Sequence, residues 1–318
     1  MEFRFTDEQL AFRDAVRDLF ANECPPAAVR AAWENDDGRT KGAWSALAEM
    51  GVLGALVPEA DGGLGLTELD VVLLAEEAGR VALPEPFVEH VLVGAPLLST
   101  PEAASGETTV TAGDPLAPYA EFADVIVLLG TGSVVVPRAG VTLERVQSVD
   151  GSRRLARVAA PAGARALTRP ELSKAYWRGN LGYAAQLVGL GRHLLDVTVQ
   201  YVQERHQFGV PIGSFQALKH KLADVRIAIE FAAPLVYRAA YSLAHDDPHA
   251  ALHGSMAKAQ AADAAMLAAR HALQCHGAIG YSFEHDLHLW MKRVWALAVT
   301  WGDAAWHRER VAGAILDT

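Results

Sequence analysis

The segment Glu204-Arg-His-Gln-Phe-Gly-Val-Pro-Ile-Gly213 packs an arginine, a glutamine and a phenylalanine just ahead of a glycine. A guanidinium near a helix end can fork onto a diphosphate through paired, charge-assisted hydrogen bonds. It can also do no more than complement the last carbonyls of the helix, whose end Gly209 and Pro211 are expected to mark. Phe208 can stack on a cofactor ring or close a core. A second segment, Leu273-Gln-Cys-His-Gly-Ala-Ile-Gly-Tyr281, ends a helical stretch at Gln274 and Gly277. Glycine has no Cβ, so backbone N–H groups there can come close to a ligand. Gly277 or Gly280 can equally serve as a plain C-cap. A third, Phe283-Glu-His-Asp-Leu-His-Leu-Trp-Met-Lys-Arg293, holds His285 and His288 beside Glu284 and Asp286. These are metal-ligand types, but acids also suit the opening of a helix, and with no third ligand evident no metal is expected.

Helices must position these segments. Thr6 ahead of Asp7, Glu8 and Gln9 reads as an N-cap, followed by Leu10, Phe12, Val16 and Phe20 at mostly helical spacing. Trp44, Leu47, Ala48 and Met50 mark a second helix that stops at Gly51. Thr67 caps a third, through Leu69, Val72, Leu73, Ala75 and Glu76, which Pro84 and Pro86 are expected to end. Between about residues 107 and 165 the texture changes. Val125 to Leu129, Val134 to Val136 and Val141 to Leu143 are short β-prone runs broken by glycine and proline. Helix then returns: Leu181 to Gln203, a stripe of Leu218, Leu222, Val225, Ile229, Ala233 and Val236, the Ala-rich run Ala250 to Leu273, Phe283 to Val294, and the last twenty residues. The expectation is a mostly α chain: an N-terminal helical domain over 1–106, a reduced β domain over 107–165 and a four-helix bundle over 166–318.

The chain has 318 residues, enough for a substantial core. Its 28 basic and 38 acidic residues leave a net charge of −10, and no Lys/Arg-rich run is present, which argues against nucleic acid as a partner. Two cysteines, Cys24 and Cys275, give no disulfide framework, and the apolar runs are too short to span a bilayer. The N-terminus lacks the basic and apolar regions of a signal peptide, so a cytoplasmic location is expected.

The order of helices, small sheet and bundle, together with these motifs, resembles the acyl-CoA dehydrogenase family along nearly the whole length. Glu204 to Gly213 is similar to the family's Arg-x-x-Phe-Gly segment. Ser214 to Asp224 resembles the Gln-containing helix start after it, and Leu273 to Tyr281 the Gln-x-x-Gly-Gly-x-Gly-Tyr turn. Pro58 to Gly65 is similar to an N-terminal glycine loop, and Phe283 to Arg293 to a stretch of actinobacterial members. Some of those act on CoA thioesters of steroid side chains and assemble from two different chains. The resemblance implies FAD as cofactor, an acyl-CoA substrate and an electron-transfer flavoprotein as acceptor. It also implies that Arg205, Gln207, Phe208, Gln216, Gln274, Gly277 and Ala278 reach across a dimer interface to a neighbouring subunit's FAD.

The same resemblance exposes two departures. The family's reaction takes a proton from the carbon α to the thioester, so a carboxylate must stand within hydrogen-bond reach. In many members it is the Glu of a Glu-Gly-Thr motif, and this chain has Trp301-Gly302-Asp303 there. An indole N–H cannot accept a proton. Other members place the Glu on the helix before the arginine segment, where this chain reads Trp177-Arg178-Gly179-Asn180. The loops that hold the flavin ring in cis are also unmatched, the nearest being Thr111-Ala-Gly-Asp-Pro115 and the run to Arg138. The leading expectation is a non-catalytic subunit completing the flavin site of a larger homologous chain in an α2β2 complex. The alternatives are a self-sufficient homo-oligomer with Asp303 or Glu284 as base, and a flavin-free acyl-CoA-binding or scaffold protein.

Overall fold

The structure, a computed structural model, describes residues 4–130 and 132–316. Four helices come first: α1 (Asp7–Glu23), α2 (Pro26–Glu34), α3 (Gly42–Glu49) and α4 (Glu68–Arg80). Thr6 and Gln9 exchange side-chain and backbone hydrogen bonds, as do Thr67 and Asp70, so both α1 and α4 open on a capping box. The proline pair does not end α4, which stops at Arg80; it leads instead into a π-helical stretch, Val88–Gly94, that is buried throughout. Two short helices follow, α5 (Ala95–Leu98) and α6 (Pro101–Ser105).

Seven strands come next: β1 (Val110–Gly113), β2 (Leu116–Pro118), β3 (Val125–Leu128), β4 (Val134–Pro137), β5 (Thr142–Val146), β6 (Leu155–Ala159) and β7 (Arg165–Ala166). The three β-prone runs form β3, β4 and β5; β1, β2, β6 and β7 were not evident from the sequence. One sheet has the order β1-β3-β4-β7, with β1 parallel to β3 and Val110 opposite Val125. The other, β2-β6-β5, is antiparallel.

The rest is helical apart from one hairpin. α7 (Arg169–Glu204) begins at a third capping box, Thr168 with Glu171, twelve residues before the apolar run at Leu181. The hairpin of β8 (His206–Gln207) and β9 (Val210–Pro211) links it to α8 (Gln216–Ala244), and α9 (Ala250–His276) returns alongside. α10 (Leu287–Val299) and α11 (Ala304–Leu316) complete the chain, α10 packing on α7 and α9 and α11 on α9. α10 thus starts after Phe283, not at it, and runs past Val294. The stripe on α8 is buried from Val225 onward, whereas Leu218 and Leu222 stay half-buried. α4 lies across α7 and α8, and one core joins the N-terminal helices to the bundle.

A buried ion pair ties the sheets to the bundle. Arg293 of α10 pairs with Asp150 and donates to Ser152 Oγ at 2.6 Å and to the Leu83 carbonyl at 2.8 Å. A charge this deep persists only when paired and hydrogen-bonded, so the 147–154 loop is fixed against α10.

Candidate functional site

α7 ends at Glu204, and Arg205 is its C-cap. The Arg205 N–H donates to Tyr201 at 2.9 Å, and its carbonyl accepts from Ile212 N–H at 2.8 Å. Gly209 does not end the helix, as expected from sequence; it turns the hairpin. Phe208 (φ +55°) and Gly209 (φ +81°) form a two-residue loop with both φ positive, the geometry that matches strand twist. For phenylalanine that backbone costs on the order of 1 kcal/mol. Its ring is not in the core: it stands 92% exposed, touched edge-on by Phe215 at 6.3 Å.

The second segment lies at the same end of the bundle. Tyr201, one turn before Arg205, stacks on His276 at 4.2 Å. His276 follows Gln274 on the last turn of α9, and Gly277 caps the helix at φ +63°, ψ −137°, a conformation open to glycine alone. The side chains of Arg205, Gln207, Gln216 and Gln274 are exposed and make no hydrogen bond or ion pair with any described residue. Gly277 and Ala278 are exposed beside them, and so are Val210, Phe215, Ile279, Tyr281 and Phe283. This is a rim of uncommitted guanidinium and amide donors set among large apolar side chains, the composition of a contact surface. The donor set fits a diphosphate.

The interior of the bundle is built in the opposite way. Trp301, in the turn between α10 and α11, is 3% exposed and has φ +54°. Its ring stacks on Tyr176 at 5.8 Å and meets Tyr183 edge-on at 5.3 Å. A Cβ at Gly179 would lie 1.6 Å from that ring, so only a glycine on α7 admits the indole. The two stretches where a carboxylate was sought, one around Gly179 and one at Trp301, therefore meet at one point, and an aromatic ring fills it. The turn is clamped from behind. Lys258 of α9, fully buried, donates to the carbonyls of Ala298 at 3.2 Å and Gly302 at 3.1 Å, and burial pulls its ammonium down to about 7. Tyr176 donates its hydroxyl proton to the Trp301 carbonyl at 3.0 Å.

Beside Trp301 a cleft of about 380 Å³ runs between Asp114-Pro115-Leu116 and the end of α10. Arg153 on its wall is spent within the chain, donating to Thr300 Oγ1 at 3.0 Å and lying 3.9 Å from Glu89. Tyr183 donates to the same Glu89 at 2.5 Å, and burial together with that carboxylate holds its phenol well above the usual range. Thr111, in the segment nearest the family's flavin loop, donates to the Pro118 carbonyl and is fully buried. Sequence reading missed Glu89, Arg153, Tyr183 and Lys258. The π-helical stretch holding Glu89 and the Ala-rich helix holding Lys258 gave no sign that a buried charge lay within.

The remaining candidates serve local structure. Asp303 is exposed, and its carboxylate accepts from Trp306 N–H at 2.8 Å, capping α11. Glu284 is exposed on the rim side. Asp286 pairs with Arg30 instead of complementing the start of α10, and Arg30 also donates to the Phe283 carbonyl at 2.6 Å. His288 packs between Trp33 and Phe283. Among the described residues no group of three His, Cys, Asp or Glu could hold a metal ion, and no helix is long and apolar enough to cross a membrane.

The architecture is thus a helical bundle preceded by two small sheets, with exposed arginine and glutamine donors at one end. The family model for the acyl-CoA dehydrogenase N-terminal domain matches residues 6–104, and that for the C-terminal domain matches residues 177–316. "Acyl-CoA dehydrogenase IpdE2" of Mycobacterium tuberculosis is 31% identical over 297 residues, covering 90% of this chain and 91% of that protein. "Acyl-CoA dehydrogenase FadE34" of the same organism is 31% identical over 322 residues, and the match spans 91% of this chain but 45% of that longer protein. A chain of the ChsE4-ChsE5 complex from Mycobacterium tuberculosis shares the fold over 100% of this chain and 100% of that one, with a TM-score of 0.91 at 21% identity. The Tcur3481-Tcur3483 steroid ACAD variant does so over 98% of both, with a TM-score of 0.88 at 23% identity. The chain belongs to the acyl-CoA dehydrogenase family.

Proposed function

We propose that this chain is the non-catalytic subunit of a heteromeric, FAD-dependent acyl-CoA dehydrogenase, completing the flavin site of a larger homologous partner. The observation that carries the proposal is the coexistence of an uncommitted rim at Arg205 and Gln274 with a base position filled by Trp301. Flavin, when bound, supplies the hydride acceptor for α,β-dehydrogenation of an acyl-CoA thioester. Arg205 would hold the diphosphate, with Gln207, Gln216 and Gln274 as further donors, and the exposed Phe208 ring and the Gly277-Ala278 turn would face the cofactor. The α proton would go to a carboxylate of the partner: in this chain Asp303 caps α11, Glu89 accepts from Tyr183, and Glu284 stands exposed at the rim.

The assembly follows as α2β2, with an electron-transfer flavoprotein as the acceptor and residues 1–106, 107–165 and 166–318 as the subunit's three domains. The names of the structural neighbours, a complex of two chains and a steroid ACAD, support a heteromer acting on a steroid side-chain CoA thioester. Two free, buried cysteines accord with a cytoplasmic setting. Co-purification tests the reading. Expressed alone, the chain should be colourless or poorly soluble; co-expressed with its partner it should yield a yellow, active complex. A yellow homomer of this chain that turns over acyl-CoA on its own would overturn it.

A further inference from the structure

The Arg205 segment, the Gln274 turn and the stretch 283–293 meet at one aromatic hub. Tyr201, half-buried on the last turn of α7, lies face to face with His276, the ring centroids 4.2 Å apart and the planes 20° from parallel. His285 meets both rings, 5.0 Å from His276 and 6.5 Å from Tyr201. Each ring is tied to its own segment. The Tyr201 carbonyl accepts from Arg205 N–H at 2.9 Å, so ring and guanidinium stem from one helical turn. His276 stands between Gln274 and Gly277, and its Nδ1–H donates to the Ala272 carbonyl at 2.8 Å, which fixes the ring against α9. Burial lowers its pKa below the ordinary value, so the ring is neutral at neutral pH. His285 Nδ1 accepts from Leu287 N–H at 3.2 Å, at the start of α10. At 5% exposure His276 offers a ligand little surface of its own.

We propose that Tyr201 and His276 are positioning residues: their stack sets the gap between the Arg205 guanidinium and the Gln274–Gly277 turn, so that both sides grip one diphosphate. This rests on the function proposed for the rim and supplies the cause of its spacing. Donors converging on one ligand must be held within about 0.5 Å of the productive geometry by side chains packed behind them. Each side of the rim is otherwise held locally. The Arg205 carbonyl accepts from Ile212 N–H in its own hairpin, and Gly277 N–H donates to the Leu273 carbonyl within α9. Among the described hydrogen bonds and ring contacts, two cross between the sides: the stack, and a bond of 3.5 Å from the Tyr201 hydroxyl to the His276 carbonyl. A hydrogen bond that long is weak, so the ring face and not the hydroxyl carries the alignment.

The test titrates FAD into the flavin-free complex of this chain with its partner, with assembly checked by native mass spectrometry. Tyr201→Phe keeps the stack and should leave the FAD dissociation constant within about twofold of wild type. Tyr201→Ala should raise it about three- to tenfold, the value of an aromatic pair, with kcat per bound flavin unchanged. Should the alanine variant not assemble, Tyr201→Leu, which keeps bulk without a ring face, is read in the same way. The double variant Arg205→Ala, Tyr201→Ala decides the mechanism. A residue that acts through Arg205 costs nothing further once Arg205 is gone, so the double variant should match Arg205→Ala alone. Losses that simply add would overturn the proposal. So would an unmoved constant in Tyr201→Ala, or a loss in Tyr201→Phe as large as in Tyr201→Ala. An unmoved constant in Arg205→Ala would instead overturn the rim's proposed role, and the positioning with it.

Discussion

The rim and the crevice of this bundle each hold an arginine and an aromatic on a left-handed backbone, put to opposite use. At the rim, Arg205, Gln207, Gln216 and Gln274 hold their donors out to solvent, and Phe208 takes a left-handed backbone that leaves its ring exposed. In the crevice, Arg153, Tyr183 and Glu89 are satisfied by one another, and Trp301 takes a similar left-handed backbone that buries its ring against Gly179. The exposed Phe208 ring is free to meet a group outside the chain, whereas the Trp301 ring fills the interior against Tyr176 and Tyr183, its indole N–H without a hydrogen-bond partner. On the proposed reading, the outward donors serve a partner's flavin and the inward crevice, filled by Trp301, serves packing.

The sharpest way to break this comparison is to empty the crevice. Trp301→Ala removes a fully packed indole, and truncating a buried tryptophan costs about 3–5 kcal/mol. The melting temperature should fall accordingly, while turnover per bound flavin in the assembled complex stays near wild type. A collapse of turnover at intact assembly would mean that the ring does more than fill space. Next in size is Arg205→Ala. Charge-assisted hydrogen bonds contribute about 1.5–3 kcal/mol each, so the FAD dissociation constant of the complex should rise roughly tenfold or more, with stability unchanged. Flavin titration by fluorescence measures it, and an unmoved constant would reduce Arg205 to a surface cation at a helix end. The smallest effect is expected of Asp303→Asn. Asparagine caps helices about as well as aspartate, so stability should shift by less than about 0.5 kcal/mol. The kcat per bound flavin should hold as well; a fall of several orders of magnitude would place the base in this chain.

The two regions were not equally legible in the sequence. The rim is local: Arg205 to Gly209 and Gln274 to Ala278 each lie within five residues, and a helix end followed by glycine can be read from the string alone. What escaped was the consequence of the turn. Phe208 lies in the loop of a hairpin that starts at His206, not on a helix running on to Gly209, and this holds its ring out. The crevice is non-local. Trp301 could be seen to stand where a carboxylate was due, but its fit against Gly179 joins α7 to the turn after α10 and exists only in the fold. Lys258 sits in a run of alanines where apolar periodicity admits any helix, and nothing local signals that its ammonium reaches two carbonyls forty residues on. The sheets were half visible for the same reason. The valine-rich runs of β3 and β4 announce themselves, while β1 is a strand because it pairs in parallel with β3.

The division of the site is tested most directly by the flavin stoichiometry of the purified complex. Absorbance at the flavin band, set against the amounts of the two chains from mass spectrometry or quantitative amino-acid analysis, gives flavins per copy of each. A kept rim and a closed crevice predict one FAD for each copy of this chain paired with one copy of its partner. Two FAD per pair would show that the crevice beside Trp301 also holds a flavin, and would contradict the account.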